Sequence, residues 1–447
     1  MTEMLTDAER FPLMTERGRE FLTALREHPF APVYAAASGN RLTAERLARV
    51  RAFEAELDST AVAWAPGRVP EWLDEFVALC YRDVPVYRRR YAGAQPREFL
   101  EVPTITRAEL SREPWSFVPD TLPTEDIIIY TTTGTTGQPL AVPSHPVAAG
   151  CYIPLMRKAL ALRGIRLTSR VGQVACVLVG YQNYSFTYAS LTPLLDEAGF
   201  VKINLHPKDW RDPGDRARFL DALQPEIYTG DPLSFMELAR LPLTAKPKAL
   251  ISTSMALLPA LRESLAARFG CPVLDLYSLN ESGPVGVDVD GSGYVLLQHR
   301  LYVEILDAKG EPCAAGTRGE ITLSGGFNEY CPLLRYRTGD YAALEFRGGQ
   351  PVLLGLEGRP PVVFRATNGA FVNNIDVTHA LKAFALPQYT LRQARDGSLV
   401  MRVHGQAANE SELRAALLAL FGDGQALTIE FVESLGEKVI QYTSEAV

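Results

Sequence analysis

The 447-residue chain sets 45 Lys and Arg against 52 Asp and Glu, a net charge of −7, with 47% hydrophobic and 22% charged residues. That length accommodates two or three domains with a large core, and the acidic balance without a basic block argues against a nucleic-acid partner. Six cysteines (Cys80, Cys151, Cys176, Cys271, Cys313, Cys331) lack CxxC spacing, which speaks against a disulfide framework or a zinc site and for a reducing compartment.

The N-terminus, MTEMLTDAER, has acids where a signal peptide has basic and then apolar residues, and no stretch is apolar for long enough to span a membrane. The expectation is a cytoplasmic protein with no membrane partner. Residues 1 to about 56 are predicted to be helical, with apolar residues spaced by three and four in TERGREFLTALREH and RLTAERLARVRAFEAEL. They offer no chemistry and are expected to pack on the main body or on the partner in a homodimer. From Pro70 a helix over EWLDEFVALCYRDVPVYRRRY precedes TITRAELSREPW, where Thr106 with Glu109 three residues on reads as a helix N-cap. A helix over 147–163 follows. VGQVACVLVGY reads as a buried strand, LTPLLDEAGF as helical, and VKINL, PEIYTG, KALIST and PVLDLYSL as further strands separated by helices. That alternation predicts a mostly parallel sheet covered on both faces. From about residue 293 alternating strands with Gly-rich turns suggest a smaller antiparallel subdomain or barrel. After Arg359 a strand–helix–strand–strand–helix–strand rhythm predicts a separate small α+β domain.

Residues 130–139, YTTTGTTGQP, follow the β-branched run DIII (Asp126 to Ile129). Threonines 131, 132, 133, 135 and 136, with Gly134 and Gly137, make a loop dense in N–H and O–H donors. Such a concavity suits phosphate oxygens. It is not a Walker loop, because Gln138 stands where a lysine would be needed.

This stretch resembles the phosphate loop of acyl-adenylate-forming enzymes, whose usual form is close to TTSGTTGKP. YSLNESGP (Tyr277 to Pro284), LLRYRTGD (Leu333 to Asp340), LEGR (Leu356 to Arg359) and NGAFVNNID (Asn368 to Asp376) resemble the same superfamily in the same order. CYRDVPVYRRRYAG (Cys80 to Gly93) is similar to the opening helix of phenylacetate–CoA ligases. The resemblance spans roughly residues 70 to 440. It implies an α/β fold: a large N-terminal α/β domain (1–356, with 1–69 an additional helical segment) with parallel sheets and a small β subdomain. A junction (357–361) and a small, mobile α+β C-terminal domain (362–447) complete it.

The resemblance also implies residue roles. Thr131, Thr132, Thr133, Gly134, Thr135, Thr136 and Gly137 would hold the ATP phosphates, with Thr132 among the catalytic residues. Tyr277 would stack on adenine, Asn280 would reach the phosphates, and Glu281 would hold Mg2+. Asp340 would accept from both ribose hydroxyls, and Arg359 would reach the nucleotide. Lys438, in LGEKVIQY, resembles the mobile lysine that neutralises charge during adenylation. Arg335 and Arg337 are open between phosphate contact and ion pairing, with structure favoured for Arg335.

Some positions depart from the family pattern. STSM (Ser252 to Met255) stands where Gly-Ala-Glu is usual near adenine. Pro360-Pro361 replaces the acid at the swivel between domains, which predicts a stiffer junction. Gly369 resembles the glycine lining the thiol path for coenzyme A. Tyr181, Asn183, Tyr184, Phe186 and Tyr188, with Gly230 beyond them, are the candidate pocket for a flat, aromatic acid, against the alternative of ordinary core aromatics. The expected reaction is ATP- and Mg2+-dependent activation of a small carboxylic acid followed by transfer to coenzyme A. A carrier protein, an amine or another small nucleophile is the alternative acceptor. A regulatory module that keeps the fold without turnover is the competing class.

Overall fold

The computed structural model describes residues 5–90, 98–132, 140–182, 185–358, 362–381, 383–405, 410–435 and 440–446. Three N-terminal helices, α1 (Asp7–Arg10), α2 (Glu16–Arg26) and α3 (Ala44–Ser59), each begin at a threonine whose hydroxyl accepts from a first-turn N–H (Thr6, Thr15, Thr43). The predicted single helix at 71–91 is two, α4 (Trp72–Asp83) and α5 (Pro85–Arg90), because Pro85 cannot continue the ladder and restricts Val84 to an extended backbone. Strand β1 (Ile105–Thr106) leads into α6 (Arg107–Arg112), where Thr106 and Glu109 form the expected reciprocal cap. An antiparallel hairpin of β2 (Ile128–Thr132) and β3 (Leu140–Ser144) follows, then α7 (Pro146–Ala161).

The central elements are β4 (Val174–Gly180), β5 (Tyr188–Thr192), β6 (Ala198–Asn204), α8 (Asp215–Leu223), β7 (Ile227–Gly230), α9 (Pro232–Arg240), β8 (Ala249–Thr253), α10 (Pro259–Phe269) and β9 (Val273–Leu279). Strands β6, β4, β7, β8 and β9 lie side by side in parallel, with β5 antiparallel at the edge. The predicted helix over LTPLLDEAGF is instead the end of β5, one 3-10 turn at Pro193–Leu195 and the start of β6. Asp196 and Glu197 both have positive φ there (45° and 59°), which no helix tolerates, and the Glu197 carboxylate accepts the backbone N–H of Thr15 at 2.7 Å.

The antiparallel strands are β10 (Gly283–Asp288), β11 (Tyr294–Leu296), β12 (Leu301–Leu306), β13 (Arg318–Gly325), β14 (Leu333–Arg347) and β15 (Gln350–Gly358). They continue the parallel sheet through the β9–β10 pairing, giving 13 strands in one sheet among the described residues. Alternation along the strands divides the core. Val177, Val179, Val201 and Ile203 face α2, α8, α9 and α10, whereas Cys176, Phe200, Ile227 and Ile251 face α3 and α7. Both faces are therefore covered, and the N-terminal helices supply part of each cover.

Beyond residue 361, a hairpin of β16 (Val363–Arg365) and β17 (Phe371–Asn373) precedes α11 (Asn374–Leu381), β18 (Tyr389–Gln393), β19 (Leu399–His404), α12 (Glu410–Phe421), β20 (Leu427–Val432) and β21 (Tyr442–Ser444). Strands β18 to β21 form a separate four-stranded sheet, and Phe364, Leu391, Met401, Leu413 and Phe421 form its core.

Candidate active site

The β2–β3 hairpin pairs Thr132 with Leu140, so the threonine-rich stretch joins the ends of the two strands. Thr131 is exposed at the end of β2. Thr133, Gly134, Thr135, Thr136 and Gly137 lie outside the described residues, as does the side chain of Thr132. The base of the hairpin is anchored from the N-terminal segment: Arg41 and Arg46 both donate to the Asp126 carboxylate. Against the penalty of burial, these guanidinium bonds hold Asp126 below the usual carboxylate range.

At the carboxyl end of the parallel strands, β9 turns directly into β10, and Glu281 sits in that turn. Its side chain is buried (2% exposed), yet β14 and α6 reach it: the Tyr336 hydroxyl donates to Oε1 at 2.6 Å and Arg107 Nη1 lies 3.2 Å from the same oxygen. Burial, and then the Glu281 charge, push the Tyr336 phenol well above its ordinary pKa, so it stays a donor. Both contacts fall on Oε1. Asn280, one residue earlier, is exposed at the tip of the turn.

Asp340 lies four residues beyond Tyr336 on β14, after Gly339, whose φ of 80° only glycine adopts without strain. The Tyr277 hydroxyl donates to Asp340 Oδ2 at 2.8 Å, joining the YSLNE and RYRTGD segments. Burial raises the Asp340 carboxyl to about 6, the Tyr277 hydrogen bond works against that rise, and the charge on Glu281 adds to it. Tyr277 itself is buried (8% exposed), its ring packed in the antiparallel core with Leu296, Val303 and Ile321 and set edge-on to Tyr294. The Tyr277 ring is thus part of the core, while its hydroxyl positions Asp340.

The two neighbouring arginines are occupied. Arg335, with φ of 47°, pairs in the core with Glu304 at 3.1 Å and donates to the carbonyls of Leu100 and Val102. Arg337 donates Nε to Glu320 at 2.7 Å. In the STSM segment Ser252 is fully buried with its hydroxyl unpaired among the described residues, and Ser254 has φ of 70°.

At the end of β15, Glu357 accepts from Arg318 at 3.0 Å and from the Asn374 amide, the latter beyond the junction. Burial raises the Glu357 carboxyl above its usual range. Arg359, Pro360, Pro361 and Lys438 lie outside the described residues. Gly369 occupies an exposed turn between β16 and β17 with φ of 81° and open space around it.

The candidate pocket residues differ in their surroundings. Tyr181 stacks on His206 with centroids 5.8 Å apart and lines a 310 Å3 cleft between α9 and residues 383–387, which include Phe384. Phe186 is 59% exposed and meets Tyr188 edge-on. Gly230 is buried where an added Cβ would come within 2.8 Å of Val179 Cγ2, a packing reason for glycine. Asn183 and Tyr184 lie outside the described residues. The structure therefore brings Tyr277, Glu281 and Asp340 together, while Tyr181 lines the cleft, Phe186 is exposed beside Tyr188 and Gly230 is buried against Val179. Arg107 and Tyr336 escaped the motif reading. Strand alternation in RYRTGD, which puts Tyr336 opposite in direction to its arginine neighbours, was the one available signal.

No family model matches the chain. In sequence it is 24% identical over 289 residues to the phenylacetate–coenzyme A ligase of Escherichia coli (strain K12), covering 59% of this chain and 63% of that protein. The chain thus matches less than two thirds of that relative's length. Among solved structures, 2-hydroxyisobutyryl-CoA ligase in the postadenylation state with 2-HIB-AMP superposes with a TM-score of 0.63 at 19% identity, covering 83% of this chain and 88% of that one. The fold is that of the acyl-adenylate-forming ligases. An anthranilate CoA ligase in complex with anthranoyl-AMP shares it at a TM-score of 0.50 and 16% identity, covering 72% of this chain and 67% of that one. In this fold Glu281 stands where strand β9 ends, the usual ligand position of an open α/β sheet, and Asp340 of β14 is tied to β9 by Tyr277.

Proposed function

We propose that the protein joins a carboxylic acid to a thiol through an acyl-adenylate. A carboxylate oxygen of the acid attacks the α-phosphorus of ATP, the bond to the pyrophosphate oxygen breaks, and pyrophosphate leaves. The sulfur of coenzyme A then attacks the acyl carbon, the bond to the AMP oxygen breaks, and AMP leaves. Positioning and charge neutralisation carry the first step, so no nucleophilic side chain is needed.

The observation that carries this reading is the pinning of two carboxylates from separate motifs, Asp340 by Tyr277 and Glu281 by Tyr336 and Arg107. In this reading Asp340 accepts the ribose hydroxyls, residues 131–137 receive the phosphates, and Arg359 and Lys438 approach the nucleotide from the junction and the small domain. Among the described residues no group of three His, Cys, Asp or Glu could cage a metal. A single carboxylate, Glu281, together with substrate phosphates is the way Mg2+ is usually held, and the ion would neutralise phosphate charge as pyrophosphate departs. Residues 362–447 are proposed to move as a unit about the junction, bringing Gly369 to the thiol path for the second step. We propose an aromatic acid as substrate and the cytoplasm as location.

A second acceptor is favoured by one feature. By its sequence, Pro360-Pro361 is expected to stiffen the junction on which the proposed reorientation depends, so transfer to a carrier-protein thiol, an amine or another small nucleophile is the alternative. Acid-dependent release of pyrophosphate and AMP, with and without coenzyme A, tests both. Pyrophosphate release that coenzyme A does not accelerate would reject coenzyme A as acceptor, and no release with any acid would reject the whole reading.

A further inference from the structure

Lysine 202 lies in the middle of β6, between β5 and β4, where a charged side chain needs a partner. The register places Tyr188 of β5 and Leu178 of β4 directly beside it. Phe200, two residues earlier on β6, packs with α7 in the core, so Lys202 points to the α7 side of the sheet. Thr229 of β7 points the same way, with its hydroxyl 3.9 Å from Cys176 Sγ.

Above this row the cover is incomplete. Leu178 is an apolar residue on an interior strand, yet it is 37% exposed, so the sheet face opens to solvent at the carboxyl ends of the strands. On the same α7 side of the sheet, Tyr152 of α7 reaches the turn that carries Glu281, its Cζ 3.6 Å from the Cβ position of Gly283. Burial first, and then the neighbouring Tyr130 and Glu281, raise the Tyr152 phenol, and burial and then Tyr130 raise that of Tyr188, so both stay protonated donors. None of the three phenols makes a hydrogen bond among the described residues.

Lys202 is half-buried and has no ion pair or hydrogen bond among the described residues, and burial alone lowers its pKa. An ammonium group on an interior strand with no counter-charge is unfavourable unless a ligand supplies one. We propose that Lys202 is a specificity-determining residue of the acid pocket and that it pairs with a second carboxylate on an aromatic substrate. The substrate class is then an aromatic dicarboxylic acid: one carboxylate is activated near Glu281 while the other rests on Lys202 and the ring lies among Tyr130, Tyr152 and Tyr188. This inference rests on the proposed adenylation and narrows its substrate.

The test compares phenylacetic and benzoic acids with the same rings bearing a second carboxylate at each position, using pyrophosphate release by the wild-type protein and by Lys202→Met. The wild type is expected to favour one diacid by roughly tenfold to a hundredfold in kcat/KM, the span of a charge-assisted hydrogen bond. Lys202→Met is expected to erase that preference, bringing the ratio of diacid to monoacid kcat/KM to about one. Thermal melting shows that the variant is folded. Turnover of monoacids with no diacid preference, or a preference that survives Lys202→Met, would overturn the role of Lys202 and leave adenylation standing. A second measurement needs no turnover: reductive methylation followed by mass spectrometry, read at Lys202 in the wild-type protein. Protection by the diacids and not the monoacids supports the pairing. Equal labelling under all conditions identifies a lysine that merely extends to water, and overturns it.

Discussion

The Tyr277 hydroxyl donates to Asp340 Oδ2 across 2.8 Å, so a residue buried in the antiparallel core favours the ionised form of a carboxylate at the site. Burial raises Asp340 to about 6, and Tyr277 opposes the rise. In the proposed ribose contact the ionised form accepts both hydroxyls. ATP affinity is therefore expected to fall as pH drops through about 6. Tyr277→Phe removes the opposing bond and should move that acid limb upward by about one pH unit, equivalent to ~1.4 kcal/mol. ATP binding measured from pH 5 to 8 checks this; an unchanged limb would detach Tyr277 from the titration.

The same carboxyl has a stability consequence with a definite sign. Below the ordinary aspartate value both folded and unfolded chains hold the proton, and the site costs nothing. Between that value and about 6 the unfolded chain ionises first, so stability falls as pH rises, levelling off above about 6. Asp340→Asn should therefore raise the melting temperature at pH 7, by roughly 1–3 kcal/mol of stability, while weakening ATP binding. Differential scanning calorimetry at pH 4 and pH 7 reads it: the gain belongs at pH 7 and should shrink at pH 4.

Glu281 depends on two residues distant in sequence. Arg107→Ala leaves a buried carboxylate bonded by the Tyr336 hydroxyl; because Arg107 itself is 36% exposed and screened by water, the expected cost is about 1–2 kcal/mol. Glu281→Gln keeps the shape and removes the charge. It should melt near the wild type yet lose about a hundredfold or more in acid-dependent pyrophosphate release. Equal activity of Glu281→Gln and wild type would remove Glu281 from the chemistry.

The hairpin base offers a milder lever. Asp126 is partly exposed, so its pairs with Arg41 and Arg46 are worth only about 1 kcal/mol to global stability. Their effect is local, because they fix the strand that delivers Thr131 and Thr132. Asp126→Ala should raise KM for ATP several-fold with little change in melting temperature. Steady-state kinetics over an ATP series decides this, and an unchanged KM would mean the hairpin holds without its anchor.

Much of the architecture was legible because its signals are local. Continuous apolar runs marked β4, β7, β8 and β9, which are buried on both faces apart from Leu178 and the strand ends, and the Thr106–Glu109 cap marked the start of α6. LTPLLDEAGF misled because its apolar spacing fits a helix, while Pro193 and two positive-φ residues impose a strand–turn–strand path. The partners of Glu281 were invisible for a different reason. Tyr336 is 55 residues away and Arg107 is 174, and only strand pairing across the whole sheet brings them together. Lys202 was passed over likewise, since its significance lies in the register of β5, β6 and β4 and not in any motif.

In the proposed reaction Asp340 holds a nucleotide whose α-phosphorus is attacked by an acid. Acid-dependent exchange of labelled pyrophosphate into ATP tests it most directly, with wild type and Asp340→Ala run side by side at pH 7.5. Exchange by the wild type is expected only when the acid is present, with a loss of about a hundredfold or more in a still-folded Asp340→Ala. Exchange that persists unchanged in Asp340→Ala, or none by the wild type across the acid panel, would contradict it.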